Sequence, residues 1–259
     1  MKQIPLTVIA TVHPGLMHHL SRCLDSIIFQ LADGDQLIVM NDGEWLENSA
    51  GLRQAALRYA GSRGATADFL SVDGKGISAS RNTGIRVARH GWVKFMDVDD
   101  LLAPFALNVF RSTLASEETL NPEGLLKTGV VCGAMIKVHN GMPVGWCELT
   151  PESIMERNPL LISGTLLNRE AVKSVGGFDE RLEFEEDWDL WLKLHRGQWT
   201  VARVRQLICY YWIDDAERAA KVRNHNVIVD PPHVNLFEPP HPSFQKILRH
   251  SAEARVRRG

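Results

Sequence analysis

Three observations predict an α/β fold built on a mainly parallel sheet. Short β-rich runs alternate with stretches of helical period through the first hundred residues. Polar and acidic residues gather just beyond those runs rather than inside them. The length, 259 residues, suits one large α/β domain or two small ones. At that length area scaling buries roughly 73% of the open chain's surface, enough for a core without staples.

The elements follow in order. Leu6–Val12 is a β-rich run. Leu16, Leu20, Leu24, Ile27, Ile28 and Leu31 then recur at steps of three and four, the spacing of one helix face. Gln36–Met40 is a second strand, closed by Asn41-Asp42-Gly43. Leu52, Ala55, Ala56 and Tyr59 mark a second helix, and Asp68–Val72 a third strand. Ser78–Arg89 is helical and Trp92–Met96 is a fourth strand. Alternation of this kind implies parallel strands joined by right-handed crossovers.

The second half is more mixed. It predicts a helix over Phe105–Leu114, a strand over Gly129–Val138 turning at Asn140-Gly141, and a strand over Leu160–Asn168. A short helix follows from Arg169, another spans Glu186–His195 with Leu190, Trp191 and Leu194 on its apolar side, and Gln206–Ile213 is a last strand. One domain is expected over residues 1–228. Residues 229–259 form a tail, Pro-rich at Asp230-Pro231-Pro232 and Glu238-Pro239-Pro240 and basic over Phe244–Arg258.

Composition narrows the function. The net charge of −2 gives no global reason to bind nucleic acid. No apolar run reaches the ~18 residues that span a bilayer, and Met1–Val12 lacks the apolar core and cleavage site of a signal peptide. The expected place is the cytoplasm. Cys23, Cys132, Cys147 and Cys209 lie far apart with no C-x-x-C pair, so reduced thiols are expected rather than a zinc site.

Three constellations carry chemistry. In Lys94-Phe95-Met96-Asp97-Val98-Asp99-Asp100 an apolar strand delivers three carboxylates at its end. Asp97 and Asp99, two apart in an extended chain, would point to one side and converge on a cation. Oxygen donors of this kind favour Mg²⁺ or Mn²⁺. The same acids also suit a helix N-cap, and the residues alone do not separate the two readings. Gly74-Lys75-Gly76-Ile77-Ser78-Ala79-Ser80-Arg81 is a Gly-rich turn entering a helix, with a cation one turn in. That arrangement suits a phosphate as well as it suits an ordinary turn. Glu183–Asp189 places five carboxylates at a helix start beside Trp188. Most serve the helix dipole. A carboxylate beside apolar rings can have a raised pKa and act as a general base.

Taken in order, these segments resemble the family-2 glycosyltransferases of the GT-A fold over about Leu6–Trp212. The resemblance rests on Val8-Ile9-Ala10-Thr11, Leu24-Asp25-Ser26-Ile27 with Gln30, Leu37–Gly43, Ser80–Ile85, Asp97–Asp100, Gly176-Gly177-Phe178-Asp179-Glu180 and Glu186–Leu192. It implies a nucleotide-diphospho-sugar transferase with a mainly parallel central sheet flanked by helices and a smaller mixed acceptor-side sheet. Residues 1–100 would be the nucleotide-binding half and 101–228 the acceptor half. It implies transfer of a sugar to a hydroxyl acceptor with inversion, assisted by Mn²⁺ or Mg²⁺, in polysaccharide or glycolipid synthesis.

The resemblance also assigns roles. Asp42 contacts the donor's base, with UDP the expected nucleotide, and Arg81 lies near the nucleotide. Thr11, His13 and Val98 join the donor-binding set. Asp97 and Asp99 are the metal-binding pair, with Asp99 the more direct ligand and His225 a late one. Asp187 takes the acceptor's proton, and Glu186 sets that base. The acceptor would be a carbohydrate or lipid-linked hydroxyl.

The sequence departs from the family pattern at Thr11-Val12-His13-Pro14, where His13 stands in for an aromatic or is a surface loop residue. It departs again at Asp42-Gly43-Glu44. No Gln-x-x-Arg-Trp follows the last strand, which implies non-processive transfer. The tail carries Phe244, Ile247 and Leu248 among basic residues, suited to weak contact with the inner membrane face or to a homodimer. A haloacid-dehalogenase-type phosphatase would need its aspartates at the first strand, and a sugar nucleotidyltransferase a Gly-rich loop there. The alternative is a degenerate domain that binds a nucleotide-sugar or a partner without transfer. Asp97, Asp99 and Asp187 argue against it.

Overall fold

A computed structural model describes residues 4–45, 49–120, 127–139, 141–147, 154–156 and 158–213. Its strands are β1 (Thr7–Val12), β2 (Gln36–Asp42), β3 (Thr66–Val72), β4 (Trp92–Asp97), β5 (Leu101–Leu102), β6 (Thr128–His139), β7 (Met142–Cys147), β8 (Thr165–Asn168) and β9 (Thr200–Ile213). The α-helices are α1 (Leu20–Ile28), α2 (Ala50–Ser62), α3 (Ile77–Val87), α4 (Ala106–Leu120), α5 (Arg169–Ser174) and α6 (Glu186–Arg196). Single 3₁₀ turns cover Pro14–His19 and Ile162–Gly164.

Every residue of β1 and β2 is buried, the mark of parallel strands with both faces covered. The strands join in the order β3-β2-β1-β4-β8-β6-β9-β5, with β7 paired to β6. β1 is parallel to β2 on one side and to β4 on the other, and β2 is parallel to β3. The chain winds outward to β3 and then returns to β4 across β1. The sheet's switch point therefore lies between β1 and β4, and ligands bind outside the carboxyl ends of strands at such points. Thr11 of β1 is the register partner of Asp97 of β4 there.

The mixed part is continuous with the parallel part rather than a separate sheet. The β4–β8 and β6–β8 pairs are antiparallel, while β6–β9 is parallel. β6 is long enough to give residues 130–132 to β8 and 135–139 to β7.

Several elements differ from the sequence expectation. The strand read over Leu160–Asn168 is regular only from Thr165. Upstream of it, Ser163 turns its polar groups toward β4: Lys94 Nζ donates to its carbonyl at 2.7 Å, and the Asp97 amide donates to its hydroxyl at 3.1 Å. The last strand starts at Thr200 rather than Gln206, because parallel pairing with β6 runs from Thr128–Thr200 onward. Exposed Arg203 and Arg205 obscured that stretch in the sequence. The hairpin strand β7 follows the predicted turn but was not itself predicted.

Charged groups sit inside this core as well. Asp35 accepts from the amides of Leu6 and Ala32, both at 2.9 Å, and pairs with Arg111 of α4. Lys94 is wholly buried, its ammonium held by the carbonyls of Phe95 and Ser163, and burial pulls its pKa down to about 8. All four cysteines are free. Among the described residues no helix is long and apolar enough to cross a membrane.

Helix α3 lies against β1 through Gly84. A Cβ there would stand 2.9 Å from both Cγ2 and Cδ1 of Ile9, a fully buried residue. Gly84→Ala is expected to lower stability by about 1–2 kcal/mol, since overpacking outweighs the gain in helix propensity. Urea denaturation checks this, and an unchanged or raised midpoint would show that α3 shifts freely.

Candidate active site

Arg81 is the centre of the site. It lies on the first turns of α3 and is 1% exposed. One terminal nitrogen meets Asp97 Oδ1 at 2.7 Å and the other meets Glu186 Oε1 at 2.5 Å. Its guanidinium also sits 5.4 Å from the centre of the Phe178 ring. Burial alone would lower the Arg81 pKa, but the carboxylates of Asp97 and Glu186 outweigh it and raise it. A buried guanidinium thus ties the end of β4 to the start of α6.

Asp97 ends β4 with its side chain 27% exposed. Its Oδ1 accepts from Arg81 and, at 3.0 Å, from the Thr11 hydroxyl. Thr11 is itself buried, so it positions Asp97 rather than facing outward. Beyond Asp97 the chain turns: the Asp100 amide donates to the Asp97 carbonyl at 3.0 Å. The alternation argument that put Asp97 and Asp99 on one side of a strand therefore does not apply here. Val98 is in the core, with its amide on the Thr11 carbonyl at 3.1 Å. Asp99 is 3% exposed, and its carbonyl accepts from Arg22 at 2.8 Å. Asp100 is buried, accepts the Trp212 amide at 3.0 Å and bonds to Ser163. Burial, then the charge of Asp97, push its pKa up to about 7.

The donor set that a metal would meet is carboxylate oxygen, which fits a hard divalent ion. Among the described residues no three acids, histidines or cysteines cluster as a closed cage. Mg²⁺ and Mn²⁺ sites of one or two carboxylates completed by phosphate and water need none. His225 and the tail lie outside the described residues.

On the other side of Arg81, α6 opens with Glu186, Asp187 and Asp189 in its first turn and closes with Lys193, His195 and Arg196, in keeping with its dipole. Asp187 accepts the Asn158 amide at 2.9 Å and the Trp188 amide at 2.8 Å. Burial, then Glu186, raise its pKa to about 7, against the pull of Arg81. The carboxylate is thus poised near neutrality.

Asp42 ends β2 and His13 follows the end of β1. Both oxygens of Asp42 receive the Gly76 amide, at 3.1 and 3.2 Å, so the carboxylate fixes the Gly-rich turn ahead of α3. Gly76 has φ +87, a conformation suited to glycine. His13 is exposed and caps the following 3₁₀ turn, its Nδ1 accepting the Gly15 amide at 3.3 Å.

Sequence reasoning did not assign roles to Ser163, Asn158 or Asn82. Asn82 exchanges two 2.9 Å hydrogen bonds with the backbone of Phe178. A Cβ on Gly177 would stand 2.6 Å from Asn82 Oδ1. The Arg81-Asn82 and Gly176-Gly177-Phe178 segments are therefore one interlocked unit. Asn158-Pro159 carried only a turn signal.

The sheet, with its switch point between β1 and β4, has the architecture of the GT-A fold. Residues 9–119 match the family model for Glycosyl transferase family 2. Chondroitin synthase of Escherichia coli is 23% identical over 204 residues, 75% of this chain and 27% of that protein. Hyaluronan synthase of Pasteurella multocida is 21% identical over 248 residues, 89% of this chain and 23% of that protein. The chain thus spans about a quarter of these relatives. The crystal structure of S. aureus TarS 1–349 shares the fold with a TM-score of 0.61 at 17% identity, covering 81% of this chain and 60% of that one. The same protein in complex with UDP gives 0.61 at 18% identity, covering 85% and 63%.

Removing Arg81 would leave Asp97 and Glu186 facing each other in a poorly solvated site. Arg81→Ala is expected to cost about 3–5 kcal/mol in chemical denaturation. A loss below about 1 kcal/mol would show that water replaces the guanidinium.

Proposed function

We propose that the protein transfers a sugar from a nucleoside-diphospho-sugar to a hydroxyl acceptor, with inversion and without processivity. The observation that carries this is Asp187, a carboxylate raised toward neutrality and joined through Glu186 and Arg81 to the Asp97 strand end. A general base works best with its pKa near the operating pH.

Asp187 takes the proton of the acceptor hydroxyl as its oxygen attacks the anomeric carbon. The bond from that carbon to the diphosphate breaks on the opposite face, which inverts the centre. Positive charge grows on the sugar and negative charge on the leaving group. Asp99 and Asp97 are the residues that would hold a divalent ion, which supplies Lewis-acid stabilisation of the leaving diphosphate. His225 is carried from the sequence as a further ligand. Asp42, His13 and the turn it fixes take the base, with Thr11 and Val98 supporting the strand ends. Glu186, held by Arg81, keeps the start of α6 in place beside the acceptor.

The UDP complex of TarS supports UDP as the donor nucleotide, and a TarS complex with UDP-GlcNAc names a donor to try first. The two synthase relatives support a carbohydrate acceptor. The missing Gln-x-x-Arg-Trp supports single transfers rather than chain growth. We place the catalytic domain at residues 1–228, in the cytoplasm, with the tail as a contact to the membrane face or to a second copy.

Changes at Asp187 and Asp99 test this. Asp187→Asn should keep UDP affinity and lower turnover by about 10²–10⁴. Wild-type turnover should rise with pH through about 7, because the active form is the ionised one and its pKa is raised. Turnover in Asp187→Asn equal to wild type would move the base elsewhere. Asp99→Ala should abolish the Mn²⁺ dependence of UDP binding, measured by calorimetry. Equal UDP affinity of the wild type in EDTA and in Mn²⁺ would remove the metal from the reaction.

A further inference from the structure

We infer that Asn158 is a positioning residue for the base, fixing which oxygen of Asp187 takes the proton. The inference rests on the reading of Asp187 as that base. Within the described residues both hydrogen bonds accepted by Asp187 land on Oδ1, from Asn158 Nδ2 at 2.9 Å and from the Trp188 amide at 2.8 Å. Oδ2 is the oxygen these bonds leave for the acceptor's proton.

The amide cannot reverse without loss. Asn158 Oδ1 faces the Leu160 amide at 3.4 Å, and a flipped side chain would set an oxygen against the carboxylate. A carboxamide nitrogen only donates, so it favours the ionised form of its partner.

The loop bearing Asn158 is tied to α6 on both sides. Trp188 Nε1 donates to the Ile154 carbonyl at 2.8 Å, and Trp191 Nε1 donates to the Leu160 carbonyl at 2.8 Å. The two indoles lie three residues apart on the helix, on neighbouring turns of one face. They hold the segment before β8 against the start of α6, and Asn158 reaches Asp187 from between their anchor points.

The charged and titratable groups around Asp187 come from three elements. Glu186 stands beside it on α6, Arg81 faces it from α3, and Tyr211 faces it from β9. Glu186 opposes ionisation and Arg81 favours it. Asn158 adds a donor without adding charge.

The test follows the Asp187 carboxyl carbon by ¹³C NMR through a pH titration of the full chain, with the signal assigned by its loss in Asp187→Asn. Release of UDP from UDP-GlcNAc with Mn²⁺ is followed in parallel. Asn158→Ala should move the Asp187 midpoint up by about one pH unit. Asn158→Asp, which keeps the size but sets a carboxylate against Asp187, should move it further, and serves if the alanine variant does not fold. The acid limb of UDP release should move with the midpoint, while UDP affinity stays within about twofold of wild type. An unmoved midpoint in a folded variant, or activity lost equally at every pH, would overturn the inference. Wild-type UDP release by Asp187→Asn would instead overturn the base reading beneath it, and the NMR midpoint tells the two failures apart.

Discussion

One buried guanidinium holds the two halves of this site together. Arg81 is nearly inaccessible to water, and the polar contacts on its terminal nitrogens are with Asp97 and Glu186. A charge in that position is tolerable only when paired with good geometry. The pairing dictates where β4 ends and where α6 begins relative to each other. These elements come from sequence segments about ninety residues apart, one ending in Asp97 and the other opening on Glu186 and Asp187.

The strand end is braced from behind as well. Ser163 accepts the Asp97 amide, bonds to Asp100 and offers its carbonyl to Lys94. Trp212 at the end of β9 donates its amide to Asp100 and stacks under Arg22, 4.2 Å away, which in turn holds the Asp99 carbonyl. Three acids crowd this turn and share neighbours, Ser163 between Asp97 and Asp100 and the Trp212–Arg22 pair between Asp100 and Asp99. Asp100 serves the frame, and Asp97 keeps a partly open side. Burial keeps the two from being equivalent: Asp100 is pushed up toward neutrality while Asp97 sits against a cation.

Much of this was legible from residue order. The four parallel strands showed themselves through apolar runs ended by polar residues, because covered parallel strands tolerate little else. Asp97, Asp187 and Arg81 were picked out as chemistry-bearing residues, and the structure brings them to one place. The supporting residues were not legible. Ser163 sits in a run that reads as plain strand, and its value comes from facing β4 across the sheet. Asn158 is a single amide in an unpatterned loop whose contact to Asp187 spans 29 residues. Asn82 stood in a recognised segment, but its partner Phe178 lies 96 residues on. A turn, not a strand, follows Asp97, so strand alternation does not set the directions of Asp97 and Asp99.

The sequence by itself determined the alternation of strands and helices through β4 and the residue types that end those strands. Those follow from local periodicity and from which side chains a core accepts. Only the tertiary structure decided which carboxylate frames the turn, which stays open and which is raised toward neutrality. A carboxylate's ionisation depends on burial and on charges that distant segments bring near it. Local sequence cannot state either, since both arise only when β4, α3 and α6 meet around Arg81.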